Sequence, residues 1–187
     1  LPIEYIRLEG VPNERVIDEL SRCDLVVDEL YSDIPIGGLG TEAAFAKRAV
    51  INAGYYARHI HADYPENLIP PACFCLPDEL SAQIKNLVIN KDERNANANK
   101  LNRFVTLNWT NDQVASRFMK LIDGTFPADW YIKPQTLTYF QGYGISNEKL
   151  KLFIRHYVLQ NNLEALYLND KPGVLQKVKE FITEVRK

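Results

Sequence analysis

Three glycines in four positions, Gly37, Gly38 and Gly40, stand directly before an alanine-rich run holding Thr41, Glu42, Ala43 and Ala44. Glycine leaves backbone N–H groups unobstructed, and at a helix start those amides carry the positive end of the helix dipole. Such a turn can hold an anion, and the amides around Gly37, Gly38 and Leu39 could approach a phosphate. Glu42, expected in the first helical turn, would place a carboxylate beside that anion, where it can accept hydrogen bonds from sugar hydroxyls. Each feature also has a plain reading. The glycines can serve the turn alone, and a first-turn acid complements the helix dipole for about 0.3–1 kcal/mol.

A second set of residues has metal-ligand types. His59 and His61, followed by Cys73 and Cys75, could supply zinc ligands. Alternate residues in extended chain also pair by chance, and Phe74 between the thiols marks an apolar setting. The reading adopted is two surface histidines and two buried thiols, with no metal. With Cys23 the thiols are odd in number, which argues against a disulfide framework and for a reducing compartment.

The elements that must position the glycine turn follow from periodicity. Ile3–Leu8 reads as a short strand, followed by a helix from Glu14 to Arg22 with Asn13 as its N-cap and Val16, Ile17 and Leu20 on one face. Asp24–Leu30 reads as a strand buried on both faces, because Leu25, Val26 and Val27 run consecutively. A helix from Thr41 to Lys47 and a strand from Ala49 to Ala53 follow the turn. Strand and helix alternating at this spacing predict a parallel sheet with helices on its faces. Further on come a short strand near Ala72–Leu76, a helix from Glu79 to Val88 capped by Asp78, and a helix with a solvated face between Asn90 and Leu107. Another helix is expected from Asn108 to Ile122, capped at Thr110 or Asn111, with Val114, Phe118, Leu121 and Ile122 packing inward. An aromatic-rich stretch, Pro127–Tyr143, carries Trp130, Tyr131, Tyr139, Phe140 and Tyr143, and helices from Lys149 to Gln160 and from Val174 to Arg186 end the chain.

The predicted fold class is therefore α/β: a Rossmann-like parallel sheet with flanking helices over residues 1–124, and a mostly helical, aromatic-rich extension over 125–187. The 187 residues suffice for one sizeable core plus an appendage. Lys and Arg number 22 against 24 Asp and Glu, a balance without the basic field that duplex nucleic acid demands. No apolar run is long enough to span a bilayer. Because the chain opens on Leu1 within a presumptive strand, it is read as a piece of a longer protein.

Asp24-Leu25-Val26-Val27, the Gly/Pro turn and the Gly37-x-x-x-x-Glu42-Ala43-Ala44 run together resemble the donor-binding C-terminal domain of retaining GT-B type glycosyltransferases. That family carries two glutamates separated by seven residues, around an aromatic–glycine pair. Here Glu42 falls on the second glutamate, Ile36 on the aromatic and Gly37 on the glycine after it, while Val50-Ile51 match the following strand. The first glutamate falls on Ile34, with Asp33 one residue early, and the family's Gly and Pro between helix and strand are Lys47 and Ala49. The resemblance covers roughly Leu1 to Ile122 and implies half of a two-Rossmann enzyme. It implies a nucleotide-diphosphate sugar as substrate, with Glu42 on the ribose hydroxyls, the amides of Gly37, Gly38 and Leu39 at the diphosphate, and Asp33 touching the donor sugar. It further implies transfer of that sugar into a bacterial surface polysaccharide, in the cytoplasm and peripheral to the inner membrane in the full-length protein. The acceptor domain and catalytic base would lie upstream, so no catalytic residue, cofactor or metal is assigned within the chain, and alone it is expected to be inactive. The alternative is a non-catalytic α/β binding or assembly module that engages a partner through its aromatic C-terminal region.

Overall fold

The computed structural model describes residues 3–31, 33–131, 133 and 145–183. Three parallel strands form the sheet, in the order β1 (Leu25–Leu30), β2 (Ala49–Ala53) and β3 (Cys73–Cys75). Leu25 lies opposite Ala49, and Ile51 opposite Cys73, so the register is set by short apolar runs. The central strand β2 is buried at every residue, which is why Ala49-Val-Ile-Asn-Ala reads as nearly continuous hydrophobicity instead of alternation.

Helices cover both faces. On one face Val26 and Val50 pack with Leu20 of α1 (Asn13–Arg22), and with Ala43 and Ala44 of α2 (Gly38–Phe45). On the other, Ala49, Ile51 and Ala53 meet Leu87 of α4 (Leu80–Ile89). Small alanines let α2 lie close on the sheet. Between β2 and β3 the chain turns through Tyr55–Arg58, the single-turn helix α3 (Ile60–Asp63) and Glu66–Leu68. Tyr56, Ile60 and Ile69 pack there in a small core of their own.

The long helix α5 (Lys91–Asn108) does more than present a solvated face. Leu101 and Val105 enter the core beside α2, while its polar side chains fasten the amino ends of the strands. Asn97 accepts from the Val50 amide (3.4 Å) and donates to the Pro71 carbonyl (2.9 Å), just before β3. Arg94 binds the final carbonyls of α4 at Leu87 (2.8 Å) and Val88 (3.2 Å), and Asp24 ahead of β1 at 3.1 Å. Asn102 donates to the last carbonyls of α2, at Ala44 (2.9 Å) and Phe45 (3.2 Å). Carbonyls orphaned at helix ends thus find their donors on a third helix.

Three expectations are corrected. β1 lies at the edge of the sheet with Val26 alone buried and Val27 and Leu30 exposed, so it is not buried on both faces. Ile3–Leu8 forms no strand, and Ile3, Tyr5 and Ile6 stand exposed. A strand exists only through pairing, and this segment has no sheet neighbour among the described residues. In α6 (Asn111–Ile122), capped by the Thr110 hydroxyl, the residues expected to pack are exposed, Ile122 at 75 % and Phe118 at 62 %. Helical period was read correctly there, but the stripe is left largely uncovered.

Beyond Gly124, α7 (Asn147–Asn161) and α8 (Pro172–Thr183) build a separate core from Leu150, Ile154, Val174 and Val178. Ser146 caps α7, accepting from the Lys149 amide at 3.4 Å. Of the aromatic stretch, Trp130 is half-buried with the Lys120 ammonium 5.9 Å from its ring centroid, and Tyr131 is exposed. Tyr139, Phe140 and Tyr143 lie outside the described residues.

Candidate functional site

The glycine turn sits at the carboxyl end of β1, the edge where open α/β sheets receive ligands. Its local geometry is governed by Asp28, a residue to which sequence reasoning gave no role. The Asp28 carboxylate reaches from β1 into the turn and accepts from the Gly37 amide (2.5 Å) and the Gly40 amide (2.8 Å). A carboxylate on the first amides of a helix satisfies orphan donors and complements the dipole at once. Helix α2 accordingly begins at Gly38, one turn earlier than expected, and Glu42 falls in its second turn instead of its first.

Close approach of the Glu29 and Asp28 carboxylates leaves little room at two of the glycines. A Cβ on Gly37 would lie 2.6 Å from the Glu29 carboxylate, and one on Gly40 would run into Asp28 itself. Gly38, by contrast, faces open space. The turn is an anion cradle whose anion, at two of its amides, is supplied by the protein. An i to i+9 pairing of Asp with Gly was visible in the sequence, but nothing in residue type alone says that a strand carboxylate will fold back onto the following turn.

The predicted site residues are distributed as follows. Gly37 is committed to Asp28. Gly38 and Leu39 are exposed in the first turn of α2, and their amides meet no acceptor among the described residues. Glu42 is half-buried, and one of its oxygens accepts from the Asn13 amide side chain at 3.0 Å. Asn13 is thus the first residue of α1 and a tie to α2, not the N-cap; Pro12, with φ −59°, occupies that place. Asp33 is half-buried at the entrance to the turn.

Asn52 is the buried polar residue of the sheet, 2 % exposed. Its amide nitrogen donates to the carbonyls of Ile34 and of Pro35 (2.9 Å), pinning the turn to β2. Those carbonyls settle which end of the amide is which, and its oxygen is left without a hydrogen-bond partner among the described residues. Beside it is a small depression lined by Ile34, Gly54, Tyr56, Ala57 and Phe74. Two further tyrosines mark the same edge. Tyr31, after β1, holds a left-handed backbone (φ 62°) stabilised by its amide bond to the Ala53 carbonyl (2.7 Å). Its ring lies 6.5 Å from that of Tyr55. A bulky residue at positive φ stores strain that surrounding contacts must hold.

The other chemistry-bearing residues do not gather. His61 pairs with Glu66 at 2.9 Å, and no three His, Cys, Asp or Glu side chains converge for a metal among the described residues. Burial pushes the Cys75 thiol up to about 11 and raises that of Cys73, so both are poor nucleophiles near neutral pH. Burial also raises the Tyr56 phenol, whose hydroxyl donates to Asp63 at 3.0 Å. No described helix is long and apolar enough to cross a membrane.

Comparison of the chain with protein-family models, with curated proteins and with solved structures yields no match.

Helix α2 ends in a Schellman motif: the Lys47 amide bonds Ala44 (3.1 Å) and the Arg48 amide bonds Ala43 (2.9 Å). Lys47 therefore sits at φ 55°, a left-handed position that favours glycine.

Proposed function

We propose that the chain is the donor-binding portion of a glycosyltransferase, holding a nucleotide sugar at the carboxyl edge of its sheet. The observation that carries this reading is the first turn of α2. Gly38 and Leu39 present amides with no acceptor among the described residues, one helical turn from the Glu42 carboxylate. A leaving diphosphate gains charge as the glycosidic bond breaks, and preorganised amides stabilise it at about 3–4 kcal/mol per well-placed donor. The second oxygen of Glu42 would take ribose hydroxyls, contributing position more than bond-breaking. With Asp28 already on two amides, the diphosphate grip is weak, and much of the affinity must come from hydroxyl groups.

Thermal protection tests the proposal. A nucleoside diphosphate at about ten times its Kd should stabilise the chain by about 1.4 kcal/mol. Glu42→Ala should remove most of that shift, while Glu66→Ala, on an exposed carboxylate paired with His61, should leave it intact. Equal losses in both variants would reduce the effect to nonspecific binding. A second reading, an assembly module, draws on the exposed apolar stripe of α6. Polar substitution at Phe118 would release a partner under that reading and leave nucleotide binding unchanged.

A further inference from the structure

We propose that the depression beside Asn52 receives one hydroxyl of a pyranose ring, making Asn52 a specificity-determining acceptor for the sugar itself. The proposal rests on the sugar-binding part of the proposed function and names the group that would read it.

Three observations meet there. Asn52 is 2 % exposed, and its oxygen has no hydrogen-bond partner among the described residues while its nitrogen is fully engaged. A buried acceptor left empty is costly, so a donor is required. The cavity offers about 10 Å³, room for one water-sized group and no more. A hydroxyl is such a group; an intact ring or a phosphate is not. The walls are apolar, from Ile34, Phe74 and the Tyr56 ring, which suits the C–H bonds carried next to a ring hydroxyl. At the same edge Tyr31 and Tyr55 present aromatic surface, Tyr31 being 48 % exposed. Pyranose rings have one apolar face and a rim of hydroxyls, and this edge offers the counterpart of both.

The site is also placed correctly for the rest of the donor. Asn52 holds the carbonyls of Ile34 and Pro35, which lead directly into Gly37 and the start of α2. A ring seated at Asn52 and a diphosphate at Gly38 and Leu39 would thus share one short stretch of chain. An absent or misplaced hydroxyl leaves the buried oxygen unpaired, and such sites discriminate by loss more than by gain.

Calorimetric titration of the full chain with UDP, GDP, UDP-glucose and GDP-mannose tests the proposal. One nucleotide sugar should bind about threefold to tenfold tighter than its own diphosphate, the worth of one neutral hydrogen bond. Ala57 lines the depression and the hydrogen bonds of Asn52 go to Ile34 and Pro35, so Ala57→Leu should block the depression while sparing those bonds. It should bring that ratio to one while leaving diphosphate affinity unchanged; Ala57→Val serves if the larger chain is not accommodated. Equal binding of sugar and diphosphate in the wild type, or a ratio that survives Ala57→Leu, overturns the proposal. If no nucleotide binds, the glycosyltransferase reading fails separately, and methyl glucoside alone decides the pocket. Saturation transfer from the protein to its ring protons, lost in Ala57→Leu, sustains the sugar site. No transfer, or a crystal soaked in methyl glucoside that holds only an ordered water at Asn52, overturns it.

Discussion

At the scale of single residues, Asp28 decides more than any glycine around it. Its carboxylate takes the Gly37 and Gly40 amides, and the room it occupies is the room a side chain would need. Gly40→Ala should therefore cost about 1–3 kcal/mol through overpacking against Asp28. Gly38→Ala, facing open space, should be neutral or stabilising by up to about 1 kcal/mol, the helix preference of alanine over glycine. Urea midpoints of the two variants check this, and a larger loss at Gly38 would mean that the turn is arranged otherwise. His59 gives a second test. Burial lowers its pKa first, and Lys177 acts in the same direction, against Asp63. The folded protein thus favours neutral imidazole, so the stability it contributes is present above about pH 6.5 and lost as pH falls below that ordinary value. Between pH 7.5 and 5.5 the urea midpoint should fall further in the wild type than in His59→Gln; a smaller fall in the wild type would reverse the sign.

Among the elements, α2 shows how a segment can be recognised while its ends are missed. Its alanines announced a helix packed on a sheet. The start moved a turn because the cap comes from β1, nine residues away, and short-range signals such as Thr41 cannot reveal a cap supplied by tertiary contact. The finish came out differently too, with Lys47 in a left-handed position. A non-glycine residue there costs about 1–2 kcal/mol, partly offset by the greater freedom that glycine loses on folding. Lys47→Gly should therefore stabilise the protein by about 0.5–1 kcal/mol, raising the melting temperature by a few degrees. An unchanged or lowered melting temperature would show that Lys47 makes a compensating contact. The strand β2 was legible residue for residue, because a central strand buried on both faces needs no partner-specific clue. Ile3–Leu8 misled for the complementary reason: Ile3, Tyr5, Ile6 and Leu8 are residue types that suit a strand, but residue type cannot supply a neighbour. Of the candidate site, the turn and Glu42 were legible as residue types. Asn52 was not, since one polar residue inside an apolar strand looks like noise until its hydrogen bonds are seen. In α5, likewise, Asn97 and Asn102 resemble ordinary surface asparagines, yet each reaches backbone groups on other elements.

For the whole molecule, the α7–α8 core stands apart from the two cores that flank the sheet. Separate cores unfold as separate units when the contacts between them are few. Calorimetry of the full chain should show two heat-absorption steps, and a version ending at Gly124 should keep the one belonging to the sheet. A single transition that disappears on truncation would make the two parts one cooperative body. The helix α5 adds an asymmetry of a different kind. Through Arg94 and Asn97 it fastens the approaches to all three strands at their amino ends, and through Asn102 it closes the end of α2. The loops at that edge cannot change length without breaking these ties: one residue inserted between Lys47 and Ala49 would throw β2 out of step with Asn97. At the opposite edge Asp28 and Asn52 hold the glycine turn, whereas the stretch between Tyr55 and Ile69 draws its ties largely from its own residues, as between Tyr56 and Asp63. That stretch is therefore the freer one to grow, shrink and diversify, so new specificities could arise by insertion there while the fastened rim holds the sheet's register through the change.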